Sequence, residues 1–163
     1  MSGEFSHLDE QGRARMVDVG GKVPTSRMAR AEAHVVMSDE LLTRLRDKTL
    51  PKGDPFEVVR IAGIQAAKRT SDLIPLCHPL PLSQIDVDVA LTSRGARIET
   101  VARTTAETGV EMEALMAASV AALTLYDMCK GVDKSVVIGP IQLLEKTGGK
   151  SGEWRREDAG RDR

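Results

Sequence analysis

The sequence is poor in rings. Of its 163 residues only Phe5, Phe56, Tyr126 and Trp154 are aromatic, yet the apolar set (AVILMFWYC) makes up 41% of the chain, an ordinary globular share. The core must therefore be aliphatic, built from Ala, Val, Leu, Ile and Met. Stacking on nucleobases needs aromatic platforms, and four rings are too few to line an aromatic pocket. A ligand would be held by charge and hydrogen bonds instead. An excess of one charge is missing too. The 23 Lys and Arg stand against 24 Asp and Glu, for a net charge of -1, so no overall field draws nucleic acid or an anionic membrane. Anion binding would need a local cluster. Cysteine is also sparse. Cys77 and Cys129 show neither CxxC spacing nor the density of a disulfide framework, which fits a reducing compartment. The first residues are polar, unlike a signal peptide, and no run approaches the roughly 18 apolar residues of a membrane span. The expectation is a cytoplasmic chain with neither nucleic acid nor membrane as partner.

What is present reads as one α+β domain. Residues 1–13 are polar and expected to be flexible. Residues 14–19 read as a short strand, 22–31 as basic and irregular, and 31–37 as a strand. Ser38 then caps a helix carrying Leu41, Leu42 and Leu45 on one side. Asp54, Pro55 and Glu57 mark a second helix start, with an apolar stripe of Phe56, Val59, Gly63 and Ala67 reaching to about residue 70. Pro75, Pro79 and Pro81 make the next segment a rigid extended loop. Residues 85–91 alternate as a strand, 93–95 turn, and 97–105 return. A long Ala-rich helix spans about 110–129. Its all-round apolarity implies burial on most sides, including against a second chain. Residues 135–144 form a last strand, and 147–163 read as a mobile Gly-rich and charged tail. The layer solution for this order is a ferredoxin-like antiparallel sheet with helices on one face, with 14–146 as its single α+β domain.

Chemistry gathers in three places. Prolines fix the backbone around Leu76, Cys77 and His78. His78 is a proton carrier near neutral pH, or it simply caps a backbone group. Asp127 and Lys130 share a helix face. They are either an acid–base pair that tunes itself or an ordinary helix ion pair. Glu111, Met112 and Glu113 open the same helix, where carboxylates also favour the dipole. Lys52 precedes a helix N-terminus, a place that attracts phosphate. Lys68, Arg69, Lys146 and Lys150 are further cations whose default setting is solvated surface. Gly149-Lys150-Ser151 is not a P-loop, because Leu144 stands where that motif needs its first glycine. No ligand spacing suggests a metal site, and the two cysteines suit core packing better than nucleophilic work. Glu113 and Asp127 are fourteen residues apart, so they point the same way but lie roughly 21 Å apart along a helix axis. A small substrate can meet both only if two subunits supply them.

Taken together, MVDV, KGD, RIAGIQAAKRTSDLIPLCHPL, TGVEMEALMAASVAALTLYDMCK and the GGKSG segment closely resemble the cyclic pyranopterin monophosphate synthases, the molybdenum cofactor biosynthesis protein C family. The likeness runs in order over about residues 7–152. It implies a lyase that converts 3′,8-cyclo-7,8-dihydro-GTP to cyclic pyranopterin monophosphate with release of pyrophosphate. It also implies a ferredoxin-like fold and a homohexamer, a trimer of dimers with sites at dimer interfaces. By matching positions, Asp127, Lys52 and Lys130 are the implied catalytic residues. Leu76, Cys77, His78, Glu111, Met112 and Glu113 are the implied substrate contacts. No cofactor is implied beyond a divalent ion carried on the substrate phosphates. The rival readings are a non-catalytic ferredoxin-like binding module and another nucleotide-processing lyase or cyclohydrolase.

Overall fold

A computed structural model of the chain describes residues 8–9 and 11–157. Strand β1 (Thr25–Val36) is followed by helices α1 (Asp39–Arg46), α2 (Phe56–Lys68) and the single turn α3 (Thr70–Leu73). Strands β2 (Leu82–Leu91) and β3 (Gly95–Ala106), helix α4 (Glu111–Cys129), and strands β4 (Val137–Thr147) and β5 (Trp154–Arg155) complete it. The sheet order is β2-β3-β1-β4-β5, with every neighbouring pair antiparallel. Its first four strands have the ferredoxin-like arrangement, and α2 and α4 pack together over one face of the sheet.

Alternation explains the layers. In β1, Ala29, Ala31, Ala33 and Val35 are fully buried under the helices, while Arg30, Glu32 and His34 point to the open face. The helices sit close because small residues meet. A Cβ on Gly63 of α2 would lie 3.0 Å from the Val87 side chain and 3.1 Å from the Ala117 carbonyl. Helix α4 buries Ala114, Ala117, Ala118, Ala121, Ala122, Leu125 and Cys129 against β1, β3, β4 and α2 of its own chain. Much of its small-residue surface is thus spent inside one protomer rather than on a symmetry mate. Helix α4 is also, among the described residues, a stretch long and apolar enough to cross a membrane. The expectation that no run approaches such a span is corrected to that extent; here the helix is the centre of the core.

Local signals set the helix starts. Ser38 accepts a hydrogen bond from the Leu41 amide at the head of α1, as its sequence predicts. Asp54 reaches the Phe56 amide at 3.0 Å, although the residue flanking α2 is Pro55. Other expectations fail. Residues 14–19 form no strand; beyond an isolated bridge between Leu8 and Ala14 nothing pairs with them, and the Val17 carbonyl is taken by His78 instead. Strand β1 begins at Thr25, inside the stretch read as irregular. The segment from residue 147, expected as a mobile tail, contributes β5 on the edge of β4. Residues 1–7, which fall in the stretch expected to be flexible, lie outside the described residues.

Candidate functional site

The sequence-predicted residues gather at the two ends of α4. At its C-terminal end the Asp127 carboxylate lies between two lysines. Lys130 Nζ is 2.8 Å from Asp127 Oδ1, and Lys52 Nζ is 3.2 Å from Oδ2 while also donating to the Asp127 carbonyl at 2.9 Å. Lys130 is the residue that closes α4, so its position follows from the helix itself. Lys52 comes from the α1–α2 loop, where the Gly53 amide bonds back to the Leu50 carbonyl. The bonds from Lys130 and then Lys52 hold the Asp127 carboxyl below its ordinary value, and Asp127 in turn raises the Lys130 ammonium. Asp127 is therefore a carboxylate at neutral pH, and Lys130 is a cation. All three side chains are about half exposed, open to a ligand.

The other end of α4 is more enclosed. Glu113 is 3% exposed, and burial above all, with the Glu111 charge adding to it, pushes its carboxyl up to about 7. Burial and the nearby Glu113 also raise the Cys77 thiol, which keeps it protonated and poorly suited to attack. Cys129, wholly buried and pushed up to about 11, is a core residue. The Pro-rich loop is fixed by the Cys77 amide on the Ile74 carbonyl at 3.1 Å. His78 Nε2 donates to the Val17 carbonyl at 2.8 Å. Leu76 and Met112 are half-buried.

Two further cations stand at this end: Lys146, whose default in the sequence was solvated surface, and Arg27, which fell in the stretch read as basic and irregular. Lys146 Nζ bridges Glu111 Oε1 at 2.9 Å and Ser151 Oγ at 3.0 Å. Arg27 donates from Nη2 to the Glu107 carbonyl at 3.2 Å, and its Nε is buried without a hydrogen-bond partner, which is unusual for a guanidinium. Gly149, at φ 74°, lies against this guanidinium where any Cβ would collide with Nη1. Strand pairing is what could have found them. Arg27 lies on β1, directly beside β4, where Met28 pairs with Thr147, and the sequence reading, which left residues 22–31 irregular, missed this start of the strand.

Glu113 and Asp127 do ride on one continuous helix, so the two groups of residues are separated along its length and do not meet within one chain. A groove of about 240 Å³ lies on the opposite face of the sheet, lined by Asp86, Asp88, Ala90, Arg97, Glu99 and Val101, and holds none of the predicted residues. Among the described residues no group of three or more His, Cys, Asp or Glu side chains is disposed to hold a metal ion.

The MoaC family model matches residues 16–149. The chain is also 54% identical over 154 residues to the cyclic pyranopterin monophosphate synthase of Peptoclostridium acidaminophilum, an alignment that covers 94% of this chain and 98% of that protein.

Proposed function

The chain belongs to the MoaC family, and we propose that it is a cyclic pyranopterin monophosphate synthase, a lyase of molybdenum cofactor biosynthesis. Its substrate would be 3′,8-cyclo-7,8-dihydro-GTP, and it would release pyrophosphate as the cyclic phosphate closes. The observation that carries this reading is the Asp127 carboxylate held between Lys52 and Lys130. Opening the imidazole-derived ring and reclosing it as a pterin needs protons moved on and off nitrogen and oxygen. Asp127, half exposed, forms with Lys130 or Lys52 the acid–base set for that work. The lysines supply positive charge where the α-phosphorus gains a ring ester bond and loses pyrophosphate.

The other group of residues suits recognition. Glu113 and Glu111 can accept from the amide and amine of the guanine-derived ring. In this reading the segment Leu76, Cys77 and His78, whose thiol feels the Glu113 charge, and Met112 contact the same ring, while Lys146 and Arg27 add charge for phosphate oxygens. Because one chain holds these groups at opposite ends of α4, the reading includes sites shared between subunits and a homohexamer arranged as a trimer of dimers. It also includes a cytoplasmic setting, in keeping with two free thiols, and a divalent ion only as a passenger on the substrate phosphates.

The test is direct. The purified protein is incubated with the cyclised GTP intermediate while pyrophosphate and the pterin product are followed. Wild type releases both, and Asp127→Ala, folded by circular dichroism, releases on the order of 10²-fold less or lower still. Absence of pyrophosphate from wild type while the substrate stays intact overturns the assignment.

A further inference from the structure

We propose that Arg156 is a positioning residue for Lys146, acting through the hairpin that joins β4 to β5. The proposal rests on the reading that the Lys146 end of α4 belongs to the site. Strand β4 ends at Thr147, and the chain then turns through Gly148, Gly149 and Gly152, all at positive φ. Such a glycine-rich turn has little order of its own. Yet it carries Ser151, one of the two groups that hold the Lys146 ammonium. Something must fix the turn from its far side.

The ladder to β5 is only two residues long, pairing Lys146 with Trp154 and Glu145 with Arg155, and two rungs are a weak hold. The Arg155–Glu145 ion pair at 2.9 Å is 70% exposed on the arginine side and adds little. Arg156 provides the remaining hold. Its amide donates to the Leu144 carbonyl at 2.8 Å, and its Nε donates to the Leu143 carbonyl at 2.8 Å, in a part-buried setting. Its guanidinium also stands 5.7 Å over the Trp154 ring, a cation–π distance. Trp154 is the register partner of Lys146 itself. Arg156 therefore closes the hairpin across the strand segment that presents Lys146, and keeps Ser151 and Glu111 on the same ammonium.

Two readouts test this on the full chain. In the first, Lys146 is labelled with an amine-acylating reagent and its labelling rate is measured by mass spectrometry, alongside the emission of Trp154, the sole tryptophan. Arg156→Ala should raise the Lys146 rate about three- to tenfold, the equivalent of one lost hydrogen bond, and red-shift Trp154. In the second, KM for the cyclised GTP intermediate should rise about three- to tenfold in Arg156→Ala, with kcat changed by less than about twofold. The same substitution should do nothing further in a Lys146→Ala background. An unchanged Lys146 labelling rate, or full additivity of the two KM effects, overturns the proposal. If wild type releases no pyrophosphate, the functional reading fails and the positioning role is decided by the labelling alone.

Discussion

Glu113 offers the sharpest test of the site's electrostatics, through Glu113→Gln. The carboxyl is 3% exposed and pushed from 4.5 up to about 7, chiefly by burial. Between pH 4.5 and 7 the unfolded chain ionises this group while the folded chain keeps it protonated. Stability therefore falls as pH rises through that window and levels off above it. The span is worth roughly 3 kcal/mol at about 1.4 kcal/mol per pH unit. Glutamine fills the same space, donates as the protonated acid does, and cannot ionise. The variant should match wild type near pH 4.5 and exceed it by roughly 3 kcal/mol at pH 8, a melting rise on the order of 6–12 °C for a chain of this size. Calorimetry of both proteins at pH 4.5, 6 and 8 gives the comparison. Parallel curves, or a variant less stable at pH 8, would show that Glu113 is not held protonated. Since the site reading also gives Glu113 a substrate contact, the same variant should turn over more slowly, the usual exchange of stability for function.

Three further outcomes follow from the structure. Gly63→Val should destabilise the fold by about 1–3 kcal/mol through overpacking against Val87 and the Ala117 carbonyl, and Gly63→Ala by less, because helix propensity returns about 1 kcal/mol; urea unfolding measures both. Asp133, which accepts from the Ser135 hydroxyl and amide and from the Ser38 amide, is held down to about 2. Its stabilisation is full above about pH 4 and lost as pH falls through about 2, so melting temperature against pH should lose part of its acid limb in Asp133→Ala. Finally, inactive Glu113→Ala and Asp127→Ala chains, mixed under conditions where subunit exchange is confirmed, should recover activity if sites are shared between subunits; no recovery rules out a shared site.

Much of this was legible in the sequence because local signals and tertiary demands agree. The Ser38 cap, the alternation of residues 85–91 and the apolar run of α4 each fix an element before any packing is known. The misreadings share one cause. Residues 31–37 were legible as strand, but the first half of β1, with Arg27 and Arg30, looked like loop because its charged members lie on the face of the sheet that is left open. Residues 14–19 have strand composition but pair only through the single bridge of Ala14 to Leu8, and a strand exists only by sustained pairing. Strand β5 depends on Arg156 reaching back to Leu143, a contact thirteen residues away that no local pattern announces. The Asp127–Lys130 pair was readable from i,i+3 spacing. Its third member, Lys52, lies seventy-five residues from Asp127; the sequence marked it only as a cation before a helix N-terminus, and its grouping with Asp127 came from the family likeness.

The scarcity of rings bears on the site through α4. A helix whose buried face is mostly alanine can lie close to both the sheet and α2, as the Gly63–Ala117 approach shows. Close packing on these sides holds the axis of α4 rigid over all 19 residues. A rigid rod of that length sets the spacing between Glu113 and Asp127 and prevents one protomer from folding them onto a single ligand. Bulky aromatics in the same interface would push the helix off the sheet and leave room for a kink that could bring its ends nearer. Small residues thus do for the site what rings do elsewhere for a pocket: they fix where its charged groups stand, and it is on this spacing that the proposal of a site shared between subunits rests.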